Sequence, residues 1–482
     1  MPRRLAPVTG LMRPDRPRAG GESAVAQRVP FSPALPRGAS SQGKCRMTAN
    51  RVLAADLGEN VGEQVAVAGW LHRKRQLKSV TFLIVRDRTG LAQAVLTSDR
   101  AASTGAGDLP EETVIQVTGL VKANAQAPGG AEITDPVITL LGEPAEPPPF
   151  DLYRPTVTAA LPTVLDHAPA TLRHPGLRAG LEISAASVAG FRAALDAHDF
   201  TEIHTPKIVQ SATESGANVF AIDYFGQQAY LAQSPQFYKQ AMVGVFERVY
   251  ETGPVFRAEP HDTARHLAQY TSLDAEFGFI TDHHDVMAML REVIVGMAAA
   301  VQVRARDAVE RVRAKLPDVP AQIPELHFAD AQELIAARAG WDPCGEPDLS
   351  PADERWLGDW AIREHGSELL FVTGFPMAKR PFYTHPDPDR PAYSRSFDLL
   401  FRGMELVTGG QRLHNHGDYL AALAARGEDP APYAGYLQVF SHGMPPHGGF
   451  AIGLERWTAR LTGATNIREV TLFPRDLHRL SP

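Results

Sequence analysis

The chain has 482 residues, of which 44% are hydrophobic and 21% charged, and its formal net charge is −7. This length exceeds one ordinary hydrophobic core, so two or three domains are expected, and no apolar run is long enough to predict a membrane span. The two cysteines, Cys45 and Cys344, have no metal-ligand spacing. They indicate a reducing compartment, and we expect a cytoplasmic protein with no membrane partner.

Residues 1–46 form a basic extension that we predict to be disordered. They hold nine Lys and Arg against two acidic residues, so the remaining chain carries a net charge of −14. A segment rich in Arg, Pro, Gly and Ser without periodicity cannot bury a core. Two alternatives stay open: a transit peptide, because the segment is rich in Arg and poor in acids, or a natural start at Met47.

Residues 52–142 have an all-β pattern. Five short runs rich in β-formers alternate with turn residues, namely Gln64–Leu71, Ser79–Arg86, Leu91–Leu96, Glu112–Leu120 and Ala131–Leu141. Five such strands in one small domain are typical of an OB-fold barrel. Residues 143–172 contain seven prolines. We predict a linker or hinge there, too rich in proline for a helix.

Residues 173–482 mix helices and strands. The pattern predicts a helix over Leu177–His198 and strands over Ala229–Gln233, Arg248–Phe256, Leu369–Thr373, Ser396–Arg402 and Met404–Thr408. Strands and helices do not alternate regularly, which favours an α+β domain with an antiparallel sheet. The segment has no internal repeat and no Walker-type phosphate loop.

Two short segments carry the chemistry of a phosphate site. Arg257 and Glu259 lie two apart on a predicted strand and therefore point the same way. Much later, residues 453–456 read Gly-Leu-Glu-Arg, which brings a second arginine, Arg456, after a turn or helix start. Two distant arginines that converge on one anion indicate a polyphosphate clamp.

The predicted barrel contains the basic patch that the acidic body otherwise lacks. Six Lys and Arg lie between His72 and Arg88, and Phe82 lies among them on a strand. OB-folds stack single-stranded bases on aromatic side chains that lie beside arginines. Composition alone leaves an even choice between this role and a core phenylalanine in a solvated hairpin.

These segments resemble class II aminoacyl-tRNA synthetases. Phe256–Glu259 and Gly453–Arg456 are similar to motifs 2 and 3 of that class, and Phe200–Ile208, with Pro206, is similar to motif 1. Gln233–Lys239 and Gly69–Arg75 resemble the aspartate-binding and anticodon-binding segments of aspartyl-tRNA synthetases. Only 124 positions separate Asp274 from Asp398, so the large bacterial insertion cannot fit, and the chain resembles the shorter archaeal type.

The resemblance implies an α+β fold, an N-terminal OB-fold barrel followed by an antiparallel class II catalytic domain at 173–482. It implies a homodimer through motif 1 around Pro206, and an activity that forms aspartyl-adenylate from aspartate and ATP with Mg²⁺. The aspartate residues would be Glu214, Ser234, Gln236, Lys239, Asp274 and Arg412. The ATP residues would be Arg257, Glu259, Arg265, His266, Tyr270, Asp398, Glu405 and Arg456, with the two arginines Arg257 and Arg456 catalytic and Asp398 and Glu405 holding magnesium.

The same resemblance assigns an anticodon site and a tRNA choice. The anticodon residues would be His72, Arg75, Phe82, Gln93, Pro128 and Glu132. Histidine and proline at positions 72 and 128 match enzymes that charge both tRNA-Asp and tRNA-Asn, whereas strict aspartyl enzymes carry tryptophan and lysine there. A strict aspartyl enzyme is the alternative. An asparaginyl enzyme is disfavoured by Lys239, since a neutral amide needs no ammonium partner.

Two further rivals are each disfavoured by a different feature of the sequence. An RNA-binding protein with a decayed catalytic domain would not need intact Arg257, Asp398, Glu405 and Arg456. A small-molecule asparagine synthetase on the same catalytic fold would need no anticodon reader, yet the predicted barrel carries the basic hairpin.

Overall fold

The structure is a computed structural model, and it describes residues 51–211 and 218–481. The described residues belong to one compact unit that begins at Arg51. The basic extension predicted at residues 1–46 lies outside the described part of the chain.

The first domain is a closed five-stranded barrel with the strand order β1-β2-β3-β5-β4. Its elements are β1 (Gln64–Gln76), β2 (Val80–Arg86), β3 (Leu91–Thr97), α1 (Ser98–Thr104), β4 (Val114–Ala123) and β5 (Ala131–Leu140), with 3-10 turns at Ala54–Asn60 and Pro128–Gly130. The alternation of apolar residues fills the barrel interior, where Val67, Leu71, Leu83 and Ile115 are buried. The predicted OB-fold barrel is therefore confirmed. Strand β1 extends five residues beyond the predicted end and takes in the basic hairpin.

The proline-rich segment after the barrel contains two short helices, α2 (Leu161–Asp166) and α3 (Ala168–Thr171). The expectation that its prolines exclude a helix is wrong. Pro162 and Pro169 each lie in the first turn of their helix, where the backbone N–H has no intrahelical partner and its absence has no cost.

The second domain is built on an eight-stranded sheet with the order β12-β13-β14-β15-β16-β11-β10-β6, and it also contains a three-stranded sheet with the order β7-β9-β8. The strands are β6 (Thr201–Glu202), β7 (Ile208–Val209), β8 (Ala221–Tyr224), β9 (Gln227–Leu231), β10 (Arg248–Phe256), β11 (Gln269–Gly278), β12 (Glu325–His327), β13 (Leu369–Thr373), β14 (Ser396–Phe401), β15 (Glu405–Gln411) and β16 (His447–Gly453). All neighbours from β13 to β10 pair antiparallel. The predicted α+β class with an antiparallel sheet is confirmed.

Helices pack against both faces of this sheet, since Leu369 and Phe371 of β13 belong to one helix-containing core cluster and Leu370 and Val372 belong to another. The remaining helices are α4 (Pro175–Asp196), α5 (Gln236–Phe246), α6 (His283–Arg304), α7 (Arg306–Val312), α8 (Phe328–Arg338), α9 (Pro351–His365), α10 (His416–Arg426), α11 (Ala434–Ser441) and α12 (Leu454–Thr462). The largest core cluster joins α4, α6 and α12 to the sheet through residues such as Ile183, Leu290, Phe450 and Trp457. Helices α4 and α6 cross closely at Gly190 and Gly296, where an added Cβ would lie 2.7–2.8 Å from the facing helix.

Helix α6 is the one described helix that is long and apolar enough to cross a membrane by length and composition. Its apolar residues Leu290, Val293, Ile294 and Met297 are fully buried in the core of the second domain. Its hydrophobic composition is therefore accounted for by packing between α4 and the sheet.

Candidate active site and RNA-binding face

The amino-acid end of the site is built by β11 and the first turns of α5. Because strand side chains alternate, Ser272, Asp274 and Glu276 share one face of β11. The hydroxyl of Ser272 donates to Asp274 Oδ2 at 2.5 Å. Helix α5 begins at Gln236 and directs Gln236 and Lys239, both buried, toward that face.

A buried network of four charges forms there. Lys239 Nζ lies 3.0 Å from Asp274 Oδ1 and 3.3 Å from Glu276 Oε2. Arg412 Nε donates to Glu276 Oε1 at 3.0 Å. Burial raises the pKa of Glu276, but the charges of Arg412 and Lys239 outweigh it and leave the pKa below its ordinary value. Two cations face two carboxylates, so the network is balanced in charge.

Glu276 is a member of this network that the sequence analysis missed. It is fully buried, and its two oxygens contact both predicted carboxylate-binding cations. The sequence analysis did not predict strand β11, and with that strand the alternation of side chains would have placed position 276 on the same face as Asp274.

The phosphate end of the site gathers arginines from three elements. Arg257 follows β10, Arg265 lies in the loop between β10 and β11, and Arg456 lies in the first turn of α12. The Arg257 guanidinium lies 5.7 Å from the ring of Tyr270, and Arg456 Nη1 donates to the backbone oxygen of Glu405 at 3.0 Å. Such a cluster around an open cavity can bind a polyphosphate.

Two carboxylates, Asp398 on β14 and Glu405 at the start of β15, lie beside these arginines. Asp398 Oδ1 accepts from Arg380 Nη2 at 2.9 Å, and Thr408 Oγ1 donates to Glu405 Oε1 at 3.2 Å. Burial and the nearby Glu405 charge raise the pKa of Asp398 to about 7, although Arg380 opposes them. Burial acts in the same direction on Glu405, but the charges of Arg456 and Arg380 hold its pKa below the ordinary value. A carboxylate whose ionisation is disfavoured by a neighbouring carboxylate forms with it a suitable donor set for a hard cation.

Two further partners of this end were not predicted. Arg380 lies in the loop after β13, and Glu354 lies in the first turn of α9. Glu354 accepts from Arg265 Nη2 at 2.9 Å and from the backbone N–H of Glu405 at 3.1 Å. No local sequence signal marks either residue, because both are recruited from segments outside the motifs.

One cavity of about 420 Å³ joins both ends of the site. The predicted aspartate and ATP residues that line it are Ser234, Gln236, Lys239, Arg257, Glu259, Arg265, His266, Tyr270, Asp274, Glu405, Arg412 and Arg456. Asp398 is outside this lining and is 7% exposed. Glu214 lies outside the described residues.

On the barrel, four predicted anticodon residues lie on adjacent strands. The Arg75 guanidinium lies 5.8 Å from the Phe82 ring, and these residues are paired across β1 and β2. Gln93 pairs with Glu132 across β3 and β5, and Gln93 Nε2 donates to Glu132 Oε2 at 2.8 Å. Asn124, which was not predicted, donates to the same Glu132 oxygen at 2.8 Å. Phe82 is half-buried, so part of its ring remains available for stacking.

The structure separates His72 from this exposed face. The pairing of β1 with β2 shifts register between Leu71 and Arg73, and the intervening His72 is 6% exposed. Its Nδ1 accepts from Arg86 Nη1 at 2.9 Å, and Arg86 also pairs with Glu112 at 2.7 Å. Any effect of His72 on RNA therefore passes through this buried network.

The two remaining predicted residues lie in irregular segments. Pro128 is half-buried and opens the 3-10 turn that leads into β5 and Glu132. Pro206 is exposed between β6 and β7, and β6 is the edge strand of the large sheet.

Comparison with known families assigns the two domains. Residues 162–477 match the family described as tRNA synthetases class II (D, K and N), and residues 65–141 match the OB-fold nucleic acid binding domain. The chain belongs to the class II tRNA synthetases. The resemblance of the motif segments to this class is thereby confirmed.

Relatives of this synthetase match over almost the whole body of the chain. Proteins named aspartate-tRNA(Asp/Asn) ligase are 47% identical in Thermus thermophilus (90% of this chain, 100% of the relative) and 44% identical in Deinococcus radiodurans (90% and 99%). An archaeal protein of the same name, from Aeropyrum pernix, is 41% identical over 88% of this chain and 96% of its own length.

Solved structures of synthetases share the fold. The asparaginyl-tRNA synthetase of Pyrococcus horikoshii, complexed with asparaginyl-adenylate, has a TM-score of 0.82 at 29% identity, covering 88% of this chain and 98% of that one. The aspartyl-tRNA synthetase of Entamoeba histolytica has a TM-score of 0.79 at 28% identity, covering 93% and 96%.

Proposed function

We propose that this synthetase is an aspartate-tRNA(Asp/Asn) ligase that attaches L-aspartate to both tRNA-Asp and tRNA-Asn. The observation that carries the proposal is one cavity with a lysine and an arginine at its amino-acid end and arginines at its phosphate end. Relatives at 41–47% identity that bear this name over nearly their full length support it.

Aspartate binds at the Lys239 end. Its side-chain carboxylate takes charge-assisted hydrogen bonds from Lys239 and Arg412, which are 1% and 7% exposed. The carboxylate of Asp274 receives the α-ammonium group, and Ser234 and Gln236 complete the contacts. Glu214 remains a predicted member of the aspartate site. Glu276 holds Arg412 in place, because the guanidinium already donates to it at 3.0 Å.

ATP binds at the arginine end, and the reaction needs no side-chain nucleophile. An oxygen of the aspartate α-carboxylate attacks the α-phosphorus in line, the bond from that phosphorus to the bridging oxygen breaks, and pyrophosphate leaves. Arg257 neutralises charge on the α-phosphate and Arg456 holds the γ-phosphate, while Tyr270 stacks on adenine and Glu259 accepts from its amino group. Positioning and charge neutralisation supply the rate enhancement. The terminal ribose hydroxyl of tRNA then takes the aspartyl group and AMP leaves.

Magnesium fits the carboxylate pair. Asp398 and Glu405 would hold Mg²⁺ together with phosphate oxygens, since two hard carboxylate donors suffice for an ion that keeps several waters. When bound, the ion neutralises charge on the ATP phosphates. The raised pKa of Asp398 beside Glu405 supports a cation at this position.

The barrel reads the anticodon through the Arg75–Phe82 pair and the Gln93–Glu132 pair. The two tRNAs differ at the third anticodon base, and positions 72 and 128 are the two that the family resemblance links to discrimination there. Pro128 has no N–H and no polar side chain, and His72 is committed to Arg86, so neither reads a pyrimidine edge. The protein acts in the cytoplasm as a homodimer, without a membrane partner.

Asparagine is the second candidate substrate, because the Pyrococcus horikoshii asparaginyl-tRNA synthetase shares the fold at a TM-score of 0.82. Lys239 favours aspartate. The amide of asparagine carries no charge, so it would be a weaker acceptor than a carboxylate for the Lys239 ammonium and the Arg412 guanidinium.

The proposal is tested by charging purified tRNA-Asp and tRNA-Asn transcripts with labelled aspartate and asparagine. We expect aspartate on both transcripts with similar kcat/KM. The double variant His72→Trp with Pro128→Lys is expected to lower kcat/KM for tRNA-Asn relative to tRNA-Asp by a factor equivalent to ~1–3 kcal/mol, the usual worth of reading one base. Strong preference of the unmodified enzyme for tRNA-Asp would reject the dual specificity, and charging with asparagine would reject the aspartate assignment.

A further inference from the structure

A second basic cavity adjoins the candidate ATP site. It has a volume of about 480 Å³, and its lining includes Arg265, Arg355, Arg402 and Arg460. Among the described residues of this lining, Asp359 is the one acidic residue. Arg265 lines both cavities, so the two spaces share a wall. We call this second space the Arg460 cavity. Its positive charge contrasts with the −14 net charge of the chain beyond residue 46.

Only some of the arginines that line the Arg460 cavity form ion pairs with carboxylates. Arg265 pairs with Glu354 at 2.9 Å and Arg402 with Glu368 at 2.8 Å. Within residues 51–211 and 218–481, Arg460 has no ion pair. Its Nε is buried without a hydrogen-bond partner, and its Nη2 reaches only the sulfur of Met404 at 3.8 Å.

The electrostatic environment of Arg460 favours an anionic ligand. Burial and the positive charges of Arg265 and Arg402 lower the pKa of the Arg460 guanidinium, although the charge of Glu354 opposes them. Like charges gathered around a half-buried cation are stabilised by an anionic ligand between them.

The position of Arg460 connects it to ATP. Arg460 follows Arg456 by four residues on α12, so the two side chains lie on one face of the helix about one turn, ~5.4 Å, apart. On the other side, Glu354 holds Arg265 and also accepts from the backbone of Glu405. The Arg460 cavity is therefore the basic space next to a phosphate that Arg456 holds.

We propose that the Arg460 cavity is a secondary phosphate site that receives the pyrophosphate released from ATP before it reaches solvent. The inference rests on the proposed function, which makes pyrophosphate the first product. Pyrophosphate is a compact polyanion that guanidinium groups bind in a bidentate manner. Phosphodiesters at the 3′ end of tRNA have the same phosphate chemistry and are the other source of an anion.

The test is aspartate-dependent ATP–pyrophosphate exchange in the absence of tRNA. Arg460→Met keeps the aliphatic stem and removes the charge. We expect the KM for pyrophosphate to rise about tenfold, while the KM values for ATP and aspartate change less than about twofold. Arg460→Lys is expected to recover part of the pyrophosphate affinity, because the charge returns without the planar fork.

Arg355→Gln is a second variant, since Arg355 is exposed at the edge of the cavity and its replacement leaves the core intact. It is expected to raise the KM for pyrophosphate in the same direction. Arg363→Gln is the matched control on the same helix α9, exposed and outside the cavity lining, and is expected to leave this KM unchanged.

The outcomes separate the sources of the anion. An unchanged KM for pyrophosphate in both cavity variants overturns the proposal. A raised KM for tRNA in aminoacylation with an unchanged KM for pyrophosphate also overturns it and assigns the cavity to tRNA phosphates. Exchange in the unmodified enzyme that does not depend on aspartate would instead reject the proposed function, so the two failures are distinguishable.

Discussion

Lys239 is 1% exposed, and its ammonium group lies within 3.3 Å of two buried carboxylates. When a substrate carboxylate binds at this lysine, the positive and negative charges of the network with Asp274, Glu276 and Arg412 must still balance. A residue so placed combines a structural role with a role in substrate choice.

Replacement of Lys239 by Met is expected to lower kcat/KM for aspartate in ATP–pyrophosphate exchange about hundredfold, equivalent to about 3 kcal/mol, because the buried carboxylate loses a charged partner. The KM for ATP is expected to stay nearly constant, because Lys239 lies at the other end of the cavity.

Lys122→Met, at an exposed lysine of the barrel, is the matched control and is expected to behave as the unmodified enzyme. An unchanged kcat/KM for aspartate in Lys239→Met would reject the assignment of Lys239. Equal losses for ATP and aspartate would indicate a damaged fold rather than a lost contact.

At the scale of the element, the β1 irregularity turns His72 inward at the point where the strand passes from its buried part to its largely exposed basic end. Burial, and then the charge of Arg86, lowers the pKa of His72 from 6.5 to about 4, with Glu112 opposing the shift. The folded protein therefore keeps this imidazole neutral at physiological pH, as an acceptor for Arg86.

This shift makes a pH-dependent contribution to the free energy of unfolding. Because the folded pKa is depressed, the unfolded chain binds the proton first, so the contribution is fully present above pH 6.5 and is lost as the pH falls through about 4. Between pH 7.5 and 5.0, the unmodified enzyme is expected to lose about 1–2 kcal/mol more stability than His72→Gln, which keeps an acceptor for Arg86 but does not titrate.

The measurement is the urea midpoint of each protein at the two pH values. His167→Gln, at an exposed histidine in the linker, is the control and is expected to follow the unmodified enzyme. Identical losses in His72→Gln and the unmodified enzyme would contradict a neutral, buried His72.

At the scale of the whole molecule, the three-stranded sheet beside Pro206 exposes apolar side chains. Ile208 on β7 is 47% exposed, and Phe225, in the turn between β8 and β9, is 91% exposed with φ of +52°. Phe225 has a left-handed backbone conformation and a ring exposed to water, and both are unfavourable. Burial of the ring against a second copy of the chain would offset part of this cost.

Phe225→Asn is therefore expected to weaken the proposed homodimer, because asparagine tolerates the left-handed conformation but buries little apolar area. Sedimentation equilibrium at micromolar concentration is expected to show a dimer for the unmodified enzyme and a larger monomer fraction for the variant. Leu77→Asn, at an exposed leucine of the barrel, is the control. A fully active monomer in the unmodified enzyme would reject the dimer.

The sequence by itself determined the architecture and most members of the site. Runs of β-formers between turn residues marked the barrel strands, because such runs are set by local geometry. The resemblance of the motif segments to class II synthetases pointed to Lys239, Arg257 and Arg456. The helices in the proline-rich linker were missed, since proline excludes helix interiors but not helix starts.

Only the tertiary structure decided which side chains meet and which way they face. Glu276 contacts Arg412 across 136 positions of sequence, and Arg265 contacts Glu354 across 89. A one-residue irregularity in β1 placed His72 inside the protein rather than on the RNA-binding face. Local periodicity cannot specify such contacts, because they arise when distant segments pack and a single extra residue reverses the face of a strand.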